Sequence, residues 1–264
     1  MSAELSVNLL QDGLCTKRFG RSVLFSREVD STNDWAKKLA TYGAYEGTVV
    51  IAETQTRGRG RLGREWISPT GGLWFSLILR PKLRPAESVK LTFVAGLAVA
   101  KVLREMFGLK AETKWPNDVL VNERKICGIL TEMNTTGETV NLVVVGIGIN
   151  ANFDVEKVFP DSLKKVATSI ENELGRKVQL HRLFRVLLEH LENLYELFTK
   201  EGFSPVLKKW KDYADFLGHQ VIIISPAEKI HGLALDIDND GALIMRLADG
   251  SVRRVFVGDV SLRV

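Results

Sequence analysis

The run Val140–Ile149, VNLVVVGIGI, constrains the fold more than any other segment. Its β-branched residues favour the pleated strand, and its near-continuous apolar character predicts a central strand rather than an edge. Val23–Val29 predicts the first strand. It is followed by DSTNDWAKKLA, where Ser31 or Thr32 suits the N-cap and Asp34 suits the positive end of the first turn. Gly47–Glu53 and Leu73–Leu79 read as buried strands. A helix is expected from about Glu87 to Phe107, with Phe93, Val94, Leu97, Val102 and Met106 inward and Gly108 as its stop. Asp118–Val121 and Lys125–Met133 form a predicted hairpin turning at Asn122-Glu123-Arg124.

After this the pattern changes. Leu163, Val166, Ile170 and Leu174 predict one helix ended by Gly175, and Leu180 to Phe198 a longer one with clean helical spacing. Ser204-Pro205 is placed as the cap of a third, carrying Leu207, Trp210 and Leu217. From Gln220 onward the chain reads as short strands separated by Asn239-Asp240-Gly241 and Ala248-Asp249-Gly250. About 45 residues of such strand suit a small barrel docked on a larger domain. The expected division is a domain over 1–217 and a small β-domain over 218–264.

With 264 residues, 45% hydrophobic and 26% charged, the chain can bury a core without disulfides, and a disordered or fibrous class is excluded. The first twenty residues lack the basic and apolar regions of a signal peptide. No stretch approaches the roughly 20 uncharged residues of a membrane helix. Cys15 and Cys127 are far apart and without metal-ligand spacing, so they read as reduced thiols of a cytoplasmic protein with no membrane attachment. A net charge of +4 is too small to argue for nucleic acid. Where the charge sits matters more.

The loop from Glu53 to Trp66, ETQTRGRGRLGREW, places Arg57, Arg59, Arg61 and Arg64 among Gly58, Gly60 and Gly63. Glycines let the backbone approach a ligand closely, and guanidinium groups fork onto carboxylate or phosphate oxygens. Such a loop would cradle an anion and could order over it. The plainer reading is a solvated basic loop or a nucleic-acid patch. It is not a P-loop, since no lysine and hydroxyl follow the last glycine. Lys114-Trp115-Pro116-Asn117-Asp118 is a second cluster, whose plainer reading is a turn with a surface ion pair. Lys125 is equally readable as an exposed strand lysine, and Asn150, after Gly146 and Gly148, as a turn former or a ligand contact. His181, His190, His219 and His231 lie away from these clusters, and no nucleophile triad or metal-ligand set is apparent. An enzyme of this sequence would work by positioning and charge neutralisation.

In this order, STNDWA, AETQTRGRGRLGREW, KWPNDVLVNERKICGIL, GIGINAN and ATSI, with Asp240-Gly241 and Gly258-Asp259-Val260 in the tail, resemble biotin protein ligases over nearly the whole chain. The resemblance implies an α+β fold: a mixed-sheet catalytic domain of the class II synthetase/biotin ligase type, then an SH3-like C-terminal barrel. It implies ATP-dependent biotinylation of a lysine on biotin carboxyl carrier protein through biotinyl-5′-AMP. By position, Ser31, Thr32, Asn33 and Gln55 would hold the biotin ring system, and Arg59, Gly60 and Arg61 would close over biotin and adenylate. Gly58 and Asn117 would join the adenylate site. Lys125 would reach the carboxylate and α-phosphate, with Arg61 and Lys114 as further catalytic groups. Arg64 and Lys114 would meet phosphates, Trp66 would stack near adenine, and Asn150 would contact the nucleotide. Asp118 would orient Lys114 or assist Mg²⁺, which is expected to arrive as Mg-ATP with no protein-held metal. Leu62 stands where some members have arginine, and Cys127 where a small residue is common, which suggests thiol sensitivity. Fewer than about 25 residues precede the first strand, too few for a helix-turn-helix, so a monofunctional ligase that does not bind DNA is expected. The resemblance also implies a homodimer, or a transient pairing with the carrier, through the sheet. A lipoate–protein ligase and a nucleic-acid-binding module using the Gly/Arg loop are the alternatives.

Overall fold

The computed structural model describes residues 5–225 and 228–261, so both extreme ends of the two expected domains lie outside the described residues. In chain order the first elements are α1 (Val7–Gln11), β1 (Val23–Val29), α2 (Thr32–Thr41), β2 (Val49–Gln55), β3 (Leu73–Leu79), α3 (Pro85–Ser88) and α4 (Leu91–Phe107). Then come β4 (Ala111–Lys114), β5 (Asp118–Val121), β6 (Arg124–Thr136) and β7 (Thr139–Ile149). The short helices α5 (Val155–Val158), α6 (Asp161–Lys164) and α7 (Ile170–Leu174) lead to α8 (Leu180–Glu201) and α9 (Phe203–Lys211). The tail holds β8 (Gln220–Ile224), β9 (Lys229–Ile237), β10 (Leu243–Arg246), β11 (Val252–Val255) and β12 (Asp259–Ser261).

The seven-stranded sheet runs β1-β2-β3-β7-β6-β5-β4, which puts β7 at its centre, as its β-branched sequence demands. Only β1 and β2 pair in parallel. Strand alternation assigns the faces. Val143, Val145, Ile147 and Ile149 join the large core with α4, α8 and α9, while Leu142 and Val144 pack on the other face with Ala36 and Ala40 of α2. The tail forms a separate antiparallel sheet, β11-β10-β9-β8-β12. It is seated on the larger unit by Trp115 Nε1 donating to Gly241 O at 2.9 Å and by the Lys211–Asp236 pair at 2.6 Å. The α+β architecture with a small β-tail is therefore the observed one. No helix among the described residues is long and apolar enough to cross a membrane.

Four local expectations are corrected. The helix expected from Leu163 to Leu174 is broken after Lys164, because Val166 O accepts from Lys125 N, Thr168 N donates to Lys125 O and Ile170 N donates to Asn150 O. Gly202, not Ser204, caps α9, and Leu217 lies beyond its end. The helix expected from Glu87 is two pieces, α3 and α4. Cys127 is wholly buried in the large core, and burial pushes its thiol pKa up, so it is not a reactive thiol beside the site.

Candidate active site

On the α2 face of β7, the residues after Leu142 and Val144 are Gly146 and Gly148. The side-chain layer stops there, and a cavity of about 530 Å³ opens. That volume suits a small-molecule ligand. The groups above the strand require these glycines. A Cβ on Gly146 would stand 2.1 Å from Asn33 Oδ1, and one on Gly148 2.6 Å from Trp66 Nε1. Gly128 pairs with Gly148 across β6 and β7, and a Cβ there would meet the Trp66 ring at 2.9 Å. The Trp66 indole thus lies on a bare patch of sheet.

One end of the cavity, over β2, β3 and β7, is neutral. Thr32 N donates to Gln55 Oε1 at 2.8 Å, and Gln55 Nε2 donates to Ser68 Oγ at 2.8 Å. Ser76 Oγ lies 2.8 Å from Thr32 Oγ1 and 2.6 Å from Asn33 Oδ1. Both amide hydrogens of Asn33 are engaged, on Leu130 O at 3.2 Å and Glu132 Oε2 at 2.7 Å. Ser31 caps α2, its Oγ accepting from Asp34 N at 3.5 Å.

The other end, over β4, β5 and β6, is basic. A bulge between β5 and β6 skips Ile126: Cys127 pairs with Val119, but Lys125 with Leu120. The extra residue reverses the alternation and turns Lys125 into the cavity instead of the core. Its backbone is fixed from outside the sheet, with Lys125 N donating to Val166 O at 2.8 Å and Thr168 N donating to Lys125 O at 2.9 Å. Lys125 Nζ lies 2.7 Å from Asp118 Oδ1 and 5.0 Å from the Trp66 ring centre, a cation–π distance. Lys114 also lines the cavity, and its ammonium makes no hydrogen bond or ion pair among the described residues; burial lowers its pKa. Burial likewise lowers that of Arg61, whose Nη1 donates to Asn117 Oδ1 at 3.1 Å, Gly258 O at 3.3 Å and Asp259 Oδ1 at 3.3 Å. Arg64 Nη1 takes the second Asp259 oxygen at 2.8 Å. Lys114, Lys125, Arg61 and Arg64 thus surround Asp118 and Asp259, while Glu65 and Glu123, also on the lining, are exposed; the inner part of this end is positive and suits an anion. Asn150 Oδ1 and Trp66 Nε1 are buried there without a hydrogen-bond partner among the described residues, as ligand-contacting groups can be. From β3 to β5 is three strand spacings, about 14 Å. The cavity therefore suits an elongated ligand with neutral heteroatoms at one end and negative charge at the other.

The Gly/Arg loop roofs this space as a small hairpin: Arg59 and Glu65 bridge, Gly60 N donates to Arg64 O at 2.7 Å, and Trp66 N to Gly58 O at 2.9 Å. Phe159, Leu163, Val166 and Ala167 supply an apolar wall.

Residues 25–150 match the Biotin/lipoate A/B protein ligase family model, and residues 216–263 match the Biotin protein ligase C terminal domain. Over 98% of its length the chain is 36% identical to the Bifunctional ligase/repressor BirA of Bacillus subtilis, covering 79% of that protein. The chain belongs to the biotin protein ligase family. Within the family it is 37% identical to the Biotin--[acetyl-CoA-carboxylase] ligase of Paracoccus denitrificans, over 82% of this chain and 91% of that one. The solved biotin protein ligase from Aquifex aeolicus in complex with biotin and ATP superposes with a TM-score of 0.78 at 30% identity, covering 92% and 99% of the two chains.

In this biotin protein ligase fold, the residues singled out from sequence converge on the one cavity: Ser31, Thr32, Asn33 and Gln55 at its neutral end, and Lys114, Asn117, Asp118, Lys125 and Asn150 at its basic end. Arg59, Gly60, Arg61, Arg64 and Trp66 join them from the loop. Gly58 does not line the cavity; it is the buried base of the hairpin, where a Cβ would stand 2.3 Å from Trp66 O. Asp118 pairs with Lys125 rather than Lys114. The arginines at 59, 61 and 64 are held by carboxylates, not solvated as a free basic loop. Sequence reasoning missed Ser76, Glu132 and the role of Asp259. Only Asp259 carried a local signal, as part of the Gly258-Asp259-Val260 motif.

Proposed function

We propose that this chain joins biotin to a lysine of a biotin carboxyl carrier protein, using Mg-ATP, in the cytoplasm. The observation that carries the reading is one cavity that joins a neutral hydrogen-bonding end to a basic end, with no histidine or cysteine among the described residues that line it. The biotin carboxylate attacks the α-phosphorus of ATP; an O–P bond forms, pyrophosphate leaves, and biotinyl-5′-AMP remains. The carrier amine then attacks the acyl carbon, loses its proton and displaces AMP. Both steps need two anions held together and charge neutralised, which is proximity and electrostatic catalysis.

In this reading Ser31, Thr32 and Gln55 contact the biotin rings, and Asn33 offers its remaining acceptor lone pair. Lys125, held by Asp118 and its bulge, meets the carboxylate and α-phosphate. Arg61, Arg64 and Lys114 take phosphate oxygens, Asp259 serving as the counter-ion that they exchange. Trp66 and Asn150 meet the nucleotide with Asn117 behind them, and Arg59 and Gly60 belong to the roof. Asp118 and Asp259 are both engaged by cations. A protein-held metal therefore does not fit this set, and the ion is treated as part of the ATP substrate. Residues 1–217 form the catalytic unit and 218–264 the small barrel. A second copy, or the carrier, would add at an open sheet edge, β1 or β4.

The test is incubation with biotin, Mg-ATP and a carrier-domain fragment beside Lys125→Ala. Transfer by wild type and not by the variant supports the reading. No transfer by wild type refutes the function, and equal transfer refutes the role of Lys125.

A further inference from the structure

Asn33 is buried in the first turn of α2, and its amide stands over Gly146 on the cavity floor. Turning that amide over would exchange Oδ1 and Nδ2 with little change of shape, so hydrogen bonding alone decides which of them meets a ligand. Asn33 Nδ2 donates to Glu132 Oε2 at 2.7 Å and to Leu130 O at 3.2 Å, both on β6. A carboxylate and a carbonyl offer only acceptors, so the corner facing β6 is the nitrogen. Oδ1 is thereby aimed at Ser76 Oγ, 2.6 Å away. The Ser76 hydroxyl has one hydrogen and two neighbours, Asn33 Oδ1 and, at 2.8 Å, Thr32 Oγ1. An amide oxygen can only accept, so that hydrogen goes to Asn33. Thr32 in turn gives its hydrogen to Ser76 or, at 3.1 Å, to Gln55 Oε1. The amide and hydroxyl hydrogens are thus committed inside the protein, and what Thr32 and Asn33 turn to the cavity is lone pairs.

Glu132 has other partners: Lys37 Nζ lies 2.9 Å from its Oε1 and Arg59 Nη2 3.5 Å from its Oε2. Of the two groups on Oε2, the buried amide is the nearer. The atoms that set the amide lie on α2, β3 and β6, and none belongs to the Gly/Arg loop. We propose that Glu132 is a positioning residue acting through Asn33: it sets the polarity of the neutral end, so that the acid bound there must bring an N–H on its ring. This deepens, and rests on, the reading that the cavity takes biotin. The cyclic urea of biotin carries N–H donors, whereas the dithiolane of lipoate carries none. Without Glu132 the amide is free to turn over, Nδ2 faces Ser76, and the hydroxyl hydrogens reverse along the chain. A ligand N–H would then meet a donor, and polar atoms would be left unpaired on both sides.

The experiment uses the full chain in ATP–pyrophosphate exchange with biotin. Glu132→Met keeps the length of the side chain and removes the acceptor. It should raise KM for biotin about tenfold, the worth of one hydrogen bond, and leave KM for ATP and kcat within about twofold. Glu132→Gln keeps an oxygen for Asn33 and should return KM for biotin to within about threefold of wild type. Lys37→Met removes an ion pair of Glu132 but not its bond to Asn33, and should stay within about twofold. A second readout needs no turnover. In proton–nitrogen correlation spectra, the side-chain amide of Asn33, assigned by its loss in Asn33→Asp, should exchange slowly in wild type and faster in Glu132→Met. Unchanged KM for biotin in Glu132→Met, or an equal rise for biotin and ATP, would overturn the proposal. A rise reproduced by Lys37→Met, or undiminished in Glu132→Gln, would assign the effect to charge and overturn it too. An unchanged Asn33 amide would overturn it whatever the enzyme acts on. Absence of exchange by wild type would instead refute the proposed function, and the amide spectra would still decide whether Glu132 holds Asn33.

Discussion

Over β3 and β7 the polar groups of the cavity bond to one another, whereas over β4, β5 and β6 several lack a partner. Thr32, Gln55, Ser68, Ser76 and Asn33 form a nearly closed chain of hydrogen bonds. At the opposite end Lys114 has no ion pair among the described residues, and Asn150 Oδ1 and Trp66 Nε1 have no hydrogen-bond partner. A self-satisfied surface is rigid and selects by shape, because a ligand that fits badly breaks bonds already made. An unsatisfied, cationic surface selects by charge. β7 runs under both ends, and the difference comes from what stands on it and its neighbours: Ser76 of β3 and Gly146 on one side, Gly148 with Gly128 and the re-aimed Lys125 of β6 on the other.

The largest expected effect separates the ends by charge. Lys125→Ala should lower biotin-dependent pyrophosphate exchange about 10²- to 10³-fold, as expected for losing one group aimed at developing charge, with Tm nearly unchanged. Exchange near the wild-type rate would move the reacting phosphorus away from the basic end. Next comes a pair of single-methyl insertions. Gly146→Ala should raise KM for biotin about tenfold with little change for ATP, because its Cβ meets Asn33. Gly148→Ala should do the reverse by displacing Trp66. If both variants shift the same constant, the division into two ends fails.

Smaller effects test what lies outside the cavity. Alkylation of the native protein should label exposed Cys15 and spare buried Cys127, leaving activity unchanged; labelled Cys127 in active protein would contradict the assigned faces of β6. The smallest effect is the pH response of the Asp34–Arg59 ion pair, whose neighbouring charged groups are Lys37 and Glu132. Asp34 sits at about 2 against its ordinary 3.8, so its contribution is present above 3.8 and lost as pH falls toward 2. Loop proteolysis by trypsin should therefore be flat from about pH 6 to 9 once corrected for the protease's own pH profile. A rise within that window would show that another group controls the loop.

Much of this was legible in the chain. β1 and β3 have the expected bounds, β7 is central, and the site residues came from local motifs whose spacing survives folding. What was missed depends on long-range pairing. β4 is four residues of Ala-Glu-Thr-Lys and β12 is three, too short and polar to show a period, and each exists because a partner strand offers a ladder. Leu163, Val166, Ile170 and Leu174 have helical spacing, yet Lys125 captures the backbone between them. The bulge at Ile126 is silent in sequence, although it decides which way Lys125 points. Glu132 lies almost a hundred positions from Asn33, so nothing local could join them.

The most direct test of the central claim, one cavity holding a neutral ring system and an activated phosphate together, is ATP–pyrophosphate exchange by the wild-type chain with biotin or lipoate as the acid. The account predicts exchange that depends on biotin and Mg-ATP, needs no carrier protein and is absent with lipoate. Exchange supported by lipoate instead, or none with biotin at saturating Mg-ATP, would contradict it.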